Sequence, residues 1–308
     1  MSKIFAAVAV IFFATSSQAQ TPRGAEGFQE RGAKRYERGD YQGAIADFTQ
    51  VIELTSRLEG ARAPARNERL AFSGGDDPVG TSGAVRALDP RAAAAYANRG
   101  IARLASGDAD GAIEDFDRAL AISPFLYRAY NARGSARCKK GDLEGAIADY
   151  DTALRLEPDY AEAYNNRANA RRAGGDLKGA LDDYDRALKL DPRNALLLTN
   201  RGEARYQTGD FEGALADFDR AVGLNPRLAD SYHGRGTILL KKGETEKAVA
   251  DFDKALSLND RLAGSYVNRA IALLLLGKQE EAERDLSRAL ALDPGLRATV
   301  EAVRRTRQ

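Results

Sequence analysis

One histidine and one cysteine set a ceiling on what this chain can do chemically. His233 is the only imidazole and Cys138 the only thiol in 308 residues, so neither a paired-histidine metal motif nor an internal disulfide can be assembled. Lys139 and Lys140 follow Cys138 and could lower its pKa, but no base accompanies the thiol and nucleophilic catalysis needs one. Arginine and aspartate recur with far more order. Arg31, Arg99, Arg133, Arg167, Arg201, Arg235 and Arg269 share one spacing, and Asp47, Asp115, Asp149, Asp183, Asp217, Asp251 and Asp285 follow them at a constant offset. A carboxylate beside a guanidinium could be an acid and its clamp. An enzyme does not repeat one site seven times, so a structural ion pair is the better reading. The first Arg and the last Asp both have partners in their own period, which places the pair inside each period, where it contributes about 0–1 kcal/mol if exposed. No Walker or dinucleotide-binding glycine pattern occurs. The residues point to no cofactor and no enzymatic activity.

The elements that carry these residues follow from the same period. Cut every 34 residues, the chain aligns Gly39, Gly107, Gly141, Gly175, Gly209, Gly243 and Gly277. Five places on stand Ala44, Ala112, Ala146, Ala180, Ala214, Ala248 and Ala282, and four beyond those Phe48, Phe116, Tyr150, Tyr184, Phe218, Phe252 and Leu286. Within 93–126 the spacing predicts a helix over about 93–106 and another over about 109–122. Gly107 stops the first, because a residue past a helix end often needs positive φ. Asp108 can accept the free N–H groups that open the second, and Pro124 ends it. Gly100, Ala112 and Ala119 are small where two antiparallel helices must approach, and Tyr96 and Phe116 fill the space between successive hairpins.

The pattern Tyr96, Gly100, Gly107, Ala112, Phe116, Ala119, Pro124 resembles the tetratricopeptide repeat (TPR) family. It recurs in 25–58, 93–126, 127–160, 161–194, 195–228, 229–262 and 263–296. Departures are local: Leu198 replaces the first aromatic, Ser56 and Asp260 the terminal proline, Val51 the last alanine. The resemblance implies an all-α TPR solenoid, a right-handed superhelix of antiparallel hairpins with seven repeats and a C-terminal cap helix over 297–308. Residues 59–92 interrupt the array. Arg69-Leu70-Ala71 and Leu88-Asp89-Pro90 keep the phase, while Ser73 to Gly83 is rich in loop residues. The segment reads as a decayed repeat with a mobile loop, or as a plain insertion.

The resemblance also implies a concave groove lined by the first helices. Asn98, Asn166, Asn200 and Asn268 share one phase there, where TPR proteins that hold extended peptides use asparagine to grip the ligand backbone. An amide both donates and accepts, as a peptide group does. Glu30, Ala132 and Gly234 break the series, and asparagine there can equally serve the scaffold. Position-specific candidates in the middle repeats are Arg128, Asn131, Lys139, Asn165, Asn169, Arg172, Thr199, Glu203 and Tyr206. Ile101 and Leu104 precede them; Val267, Ile271, Leu274 and Leu275 come after. Such a surface could hold a peptide with an acidic centre and hydrophobic flanks. The alternative is a set of solvated helix faces, with the final apolar run packed on the cap helix.

Global properties fit a binding protein. Lys plus Arg (46) and Asp plus Glu (45) nearly cancel, so no overall field attracts nucleic acid or anionic lipid. Trp is absent and the basic residues form no stripe with aromatics, which argues against a nucleic-acid platform. Lys3, the apolar run Ile4 to Ala14 and Ser17-Gln18-Ala19 have the layout of a signal peptide over 1–19. No later stretch is apolar enough to span a bilayer. The expectation is an exported, periplasmic or secreted, bacterial scaffold that binds a protein or peptide partner without catalysis. Alternatives are an accessory factor for cell-envelope assembly or polysaccharide export, and a regulatory subunit of an envelope enzyme.

Overall fold

A computed structural model describes residues 24–62 and 90–305. The expected signal peptide and residues 63–89 of the interrupting segment lie outside these. The described residues are helical throughout, apart from short turns. They form α1 (Ala25–Glu37), α2 (Tyr41–Arg62), α3 (Pro90–Ser106), α4 (Ala109–Ile122), α5 (Tyr127–Lys139), α6 (Leu143–Leu156), α7 (Ala161–Ala173), α8 (Leu177–Leu190), α9 (Ala195–Thr208), α10 (Phe211–Leu224), α11 (Ala229–Lys241), α12 (Thr245–Leu258), α13 (Ala263–Leu275), α14 (Gln279–Leu292) and α15 (Arg297–Arg305). The chain divides into two compact units, the first ending at Ala170 and the second starting at Arg171. In the first, α1–α2, α3–α4 and α5–α6 are packed hairpins; in the second, α9–α10, α11–α12 and α13–α14 are.

The α5–α6 hairpin shows why this sequence folds so. Gly141 closes α5 at φ +83°, a conformation that costs a residue with a Cβ free energy and glycine almost none. Asp142 then caps α6, its carboxylate accepting from the Gly145 N–H at 2.9 Å. Along α6, Ala146, Tyr150 and Ala153 are fully buried. The Tyr150 ring lies in a notch left by Gly134, where a Cβ would come within 2.7 Å of it. A methyl there would overpack the contact by about 1–3 kcal/mol.

The first repeat departs from its expected boundary. The period predicts an end at 58, yet α2 continues to Arg62. Ser56 stands where Pro124 and Pro158 end the equivalent helices, so nothing forbids further turns. Proline is not the sole stop, however. Asp260 also replaces it, and there Asn259 turns the backbone to the extended region while its side chain accepts from the Arg261 N–H. The first two repeats pack directly: Ala25, Val51, Ile52 and Ala95 form one apolar cluster with Phe28, Leu54 and Tyr96 against it.

Arginine and aspartate hold the hairpins as expected and do more besides. Arg31–Asp47, Arg99–Asp115, Arg133–Asp149, Arg201–Asp217, Arg235–Asp251 and Arg269–Asp285 all pair within one repeat, at 2.6–2.7 Å. The surface-pair magnitude does not apply to them, because these aspartates are buried. A carboxylate stripped of its partner there leaves an uncompensated buried charge. The same guanidinium also reaches back to the preceding repeat. Arg133 meets Asp117 at 2.5 Å, Arg201 meets Asp185 at 2.7 Å and Arg235 meets Asp219 at 2.9 Å. One fork thus serves both the hairpin and its neighbour.

A second arginine series completes the lock. Arg35, Arg103, Arg137, Arg171 and Arg205 each reach the same buried aspartate at 2.8–3.0 Å. Each also donates to the carbonyl of the glycine three residues past the cap, as Arg137 does to Gly145 at 3.1 Å. In the last two repeats Leu239 and Leu273 take this place. Glu244 and Lys278 replace the capping aspartate there, and neither makes a side-chain cap hydrogen bond.

At the C-terminal end the expected cap helix is α15, preceded by a single 3-10 turn, Pro294–Leu296. Val300 is fully buried in a cluster with Val267, Leu273 and Leu286, and Ile271, Leu274, Leu296 and Val303 pack against it.

Candidate partner-binding face

The first helices of successive repeats lie side by side, α3 with α5 in the first unit and α9, α11 and α13 in the second. Within each unit the face these helices share carries members of the asparagine series. The structure encloses much of that series. Asn98 and Asn131 are 1% exposed, Asn169 2% and Asn166 6%. Arg128, Asn165, Arg172, Asn200 and Asn268 are half-buried.

In the first unit these residues join one network. Asn131 Nδ2 donates to Tyr160 Oη at 3.2 Å and to Glu162 Oε1 at 3.1 Å, and its Oδ1 accepts from Asn166 Nδ2 at 3.0 Å. Asn166 Oδ1 in turn accepts from Asn165 Nδ2 at 3.3 Å. Tyr160 donates to the other Glu162 oxygen at 3.2 Å. The Tyr127 and Tyr160 rings meet edge to face at 5.1 Å, and the Arg128 guanidinium lies over both, at 5.4 and 6.0 Å from their centres. Burial pushes the Glu162 carboxyl above its ordinary range, against the hydrogen bonds from Tyr160 and Asn131 and the charge of Arg128. Burial likewise raises Tyr160, so the phenol stays a donor. The result is a half-open surface of aromatic rings, one guanidinium and one amide, rigidly backed.

The second unit has a different seam. Arg172 pairs with Glu203 at 3.2 Å, which neutralises the basic character expected at that place. Burial raises the Glu203 carboxyl, opposed by that arginine. Thr199 and Ser231 share a hydrogen bond of 2.6 Å, Ser265 and His233 Nδ1 one of 2.8 Å, and Asn268 donates to Thr237 at 3.0 Å. Burial lowers the His233 pKa, so the ring is held neutral between helices. In the first unit Lys139 is also engaged, donating to the Leu104 carbonyl at 3.0 Å and so capping the end of α3.

The apolar flanks expected of a groove are interior instead. Ile101 and Leu104 lie in the core with Phe116, and Val267, Ile271 and Leu274 pack with the cap helix; Leu275 alone of this run is well exposed, at 67%. Cys138 is buried against Tyr150, and burial lifts its thiol to about 11, the reverse of what its lysine neighbours suggested. Tyr127, Tyr160 and Glu162 were not singled out from sequence. They occupy no repeated phase of aromatic or acidic residues, and only their convergence reveals them.

Comparison with known proteins bears on the fold. The family description "TPR repeat" matches residues 134–171 and 168–209. "Tetratricopeptide repeat" matches 83–126, 199–266 and 263–296. No curated protein matches the sequence. Among solved structures, a TPR protein of Parabacteroides merdae is 19% identical with a TM-score of 0.63, covering 91% of this chain and 97% of its own. Pseudomonas aeruginosa PilF is 20% identical with a TM-score of 0.61, over 66% of this chain and 92% of its own. YrrB, described as a TPR protein with an unusual peptide-binding site, is 23% identical with a TM-score of 0.50, over 63% of this chain and 99% of its own. Fold, repeat period and family matches agree: the chain belongs to the tetratricopeptide repeat family.

Proposed function

We propose that the chain is an exported scaffold that holds an extended segment of a protein partner on its first-helix face. The TPR fold is that of a protein-interaction scaffold, and among the described residues no helix is long and apolar enough to cross a membrane. The observation that carries the reading is Arg128 lying over Tyr127 and Tyr160, in one network with Asn165. Tyrosine rings supply large contact area at low cost in side-chain entropy, and arginine joins them at interface hot spots. On this reading Arg128 and Asn165 meet the partner in the first unit, and Arg172, Asn200 and Asn268 belong to the corresponding face of the second unit, taken by itself. Asn98, Asn131, Asn166 and Asn169 stand behind them and fix the face. A photo-crosslinking residue at position 165 should trap a partner in the native host, and Arg128→Ala should reduce the yield several-fold with only a small fall in melting temperature. Asn131→Ala should lower the melting temperature instead. Undiminished trapping in Arg128→Ala would place the contact elsewhere. YrrB shares this fold and is described as having a peptide-binding site, which supports a peptide as the kind of partner.

Export is proposed from residues 1–19 alone, whose positive start, apolar run and small residues before Gln20 have the order of a cleaved leader. Mature protein should begin near Gln20 on N-terminal sequencing; full-length protein in the cytosol would refute this.

A further inference from the structure

Within the second unit, α10, α11 and α12 border an open cleft of about 470 Å³. Its polar lining is Asp219, Glu244 and Asp251 against Arg235 and Lys247, and its apolar walls include Leu215 and Leu239. The cleft lies where the sixth repeat lacks something that five others possess. In those, the second arginine of the first helix sends a guanidinium nitrogen to the buried aspartate and to the carbonyl three residues past the cap, as Arg205 does to Asp217 at 2.8 Å and to the Gly213 carbonyl at 3.2 Å. The same group faces the capping carboxylate, Arg205 meeting Asp210 at 3.6 Å. Leu239 occupies that phase in the sixth repeat, with Asp251, Lys247 and Glu244 in the places of the aspartate, the residue whose carbonyl accepts and the cap.

Asp251 keeps only the first arginine, Arg235, at 2.7 Å, and it is 7% exposed where Asp115, Asp149 and Asp217 are 2–3%. Three acids facing two bases leave the lining one negative charge in excess. In the seventh repeat the same replacement is packed over by the cap helix. Leu273 is 3% exposed and its apolar neighbours fill the space.

We propose that this cleft is a binding site for an arginine side chain of a partner protein. The guest guanidinium takes the place that Arg205 and its equivalents occupy in cis, donating to the Asp251 carboxylate and the Lys247 carbonyl and displacing the exposed Lys247 ammonium from the Glu244 carboxylate, which it holds at 2.7 Å, with its methylene stem along Leu239 and Leu215. A charged, hydrogen-bonded guest suits a partly buried carboxylate with spare acceptor capacity. The site is separate from the first-helix face and stands or falls independently of it.

The test uses the full chain with labelled leucine methyls and two probes, N-acetyl-L-arginine methylamide and its neutral isostere N-acetyl-L-citrulline methylamide. The arginine probe should shift the Leu239 and Leu215 methyl resonances, and the citrulline probe at equal concentration should not. Leu239→Arg supplies the missing side chain in cis, so it should raise the melting temperature and weaken the arginine response roughly ten-fold or more. Should that variant fold poorly, Glu244→Gln, at a partly exposed position, should weaken the response by itself. Equal shifts with both probes, no shift with arginine, or an undiminished response in Glu244→Gln would overturn the proposal.

Discussion

At the scale of single residues, burial decides what a repeated ion pair contributes. Arg133 meets two carboxylates at almost the same distance, Asp149 at 2.6 Å and Asp117 at 2.5 Å. The Asp149 side chain is 4% exposed and the Asp117 side chain 54%. Coulomb attraction to Asp117 is screened by water, and the pair belongs to the class that contributes about 0–1 kcal/mol. Asp149 has lost its water, and breaking a buried pair costs on the order of 3–5 kcal/mol. Arg137 still holds Asp149 when Arg133 is gone, which reduces that figure. Arg133→Ala should therefore destabilise by roughly 2 kcal/mol. In double-mutant cycles followed by denaturant unfolding, its coupling to Asp149 should exceed its coupling to Asp117 by about 1 kcal/mol or more. Equal couplings would mean that geometry, not burial, sets the strength. The sequence exposed the Arg133–Asp149 partnership because both series are complete. It equally contains the series Asp117, Asp151, Asp185, Asp219 and Asp253, which reading each repeat as a closed unit overlooks.

At the scale of the helix, repeats of one period turn out to be closed in two ways. Asp40, Asp108, Asp142, Asp176 and Asp210 all cap their helices by accepting from a glycine N–H at 2.9 Å. The glycine lets the carboxylate come this close: a Cβ at Gly145 would stand 2.2 Å from the Asp142 carboxylate, which would have to swing aside for a larger residue. In the sixth repeat Glu244 and Lys247 stand in the same two places and pair with each other at 2.7 Å across one exposed turn. A cap of the first kind contributes about 1 kcal/mol and an exposed pair of the second kind a few tenths. Asp142→Ala should accordingly lower stability by about 1 kcal/mol and Glu244→Ala by less than half as much, read as shifts of the denaturant midpoint. Similar losses would show that the glutamate caps after all. Helix positions were legible because punctuation recurs: Gly107, Asp108 and Pro124 marked α3 and α4 to within three residues. The candidate site was less so. A phase says which residues share a helix face, but the depth of that face depends on neighbours from other repeats. That is why Asn98 is enclosed and Asn200 is not.

At the scale of the molecule, an array of nearest-neighbour contacts must end somewhere, and its last apolar face has to be covered. The repeat pattern runs out at Pro294 and so predicts a cover beyond it, without showing how deeply α15 seats. Val300 is completely buried, and Leu296 and Val303 pack beside it on Val267, Ile271, Leu274 and Leu286. Arg304 pairs with Glu283 of α14 and fastens the outer turn. Burying side chains of this size contributes about 1.5–3 kcal/mol each when complete, so the cover is no ornament to the seventh repeat. Ending the chain after Asp293 should expose that face and loosen α13 and α14 first. Because stability in such arrays is a sum of local terms, the loss should fade with distance from the cut. Hydrogen exchange should show amides of 263–292 exchanging faster by at least ten-fold, while those of α3 to α6 keep their protection. Val300→Asp should reproduce this pattern in the uncut chain, since it places an unpaired carboxylate in an apolar cluster. Faster exchange spread evenly over all described helices would mean that the array opens as one cooperative body, and the nearest-neighbour account of its stability would fail.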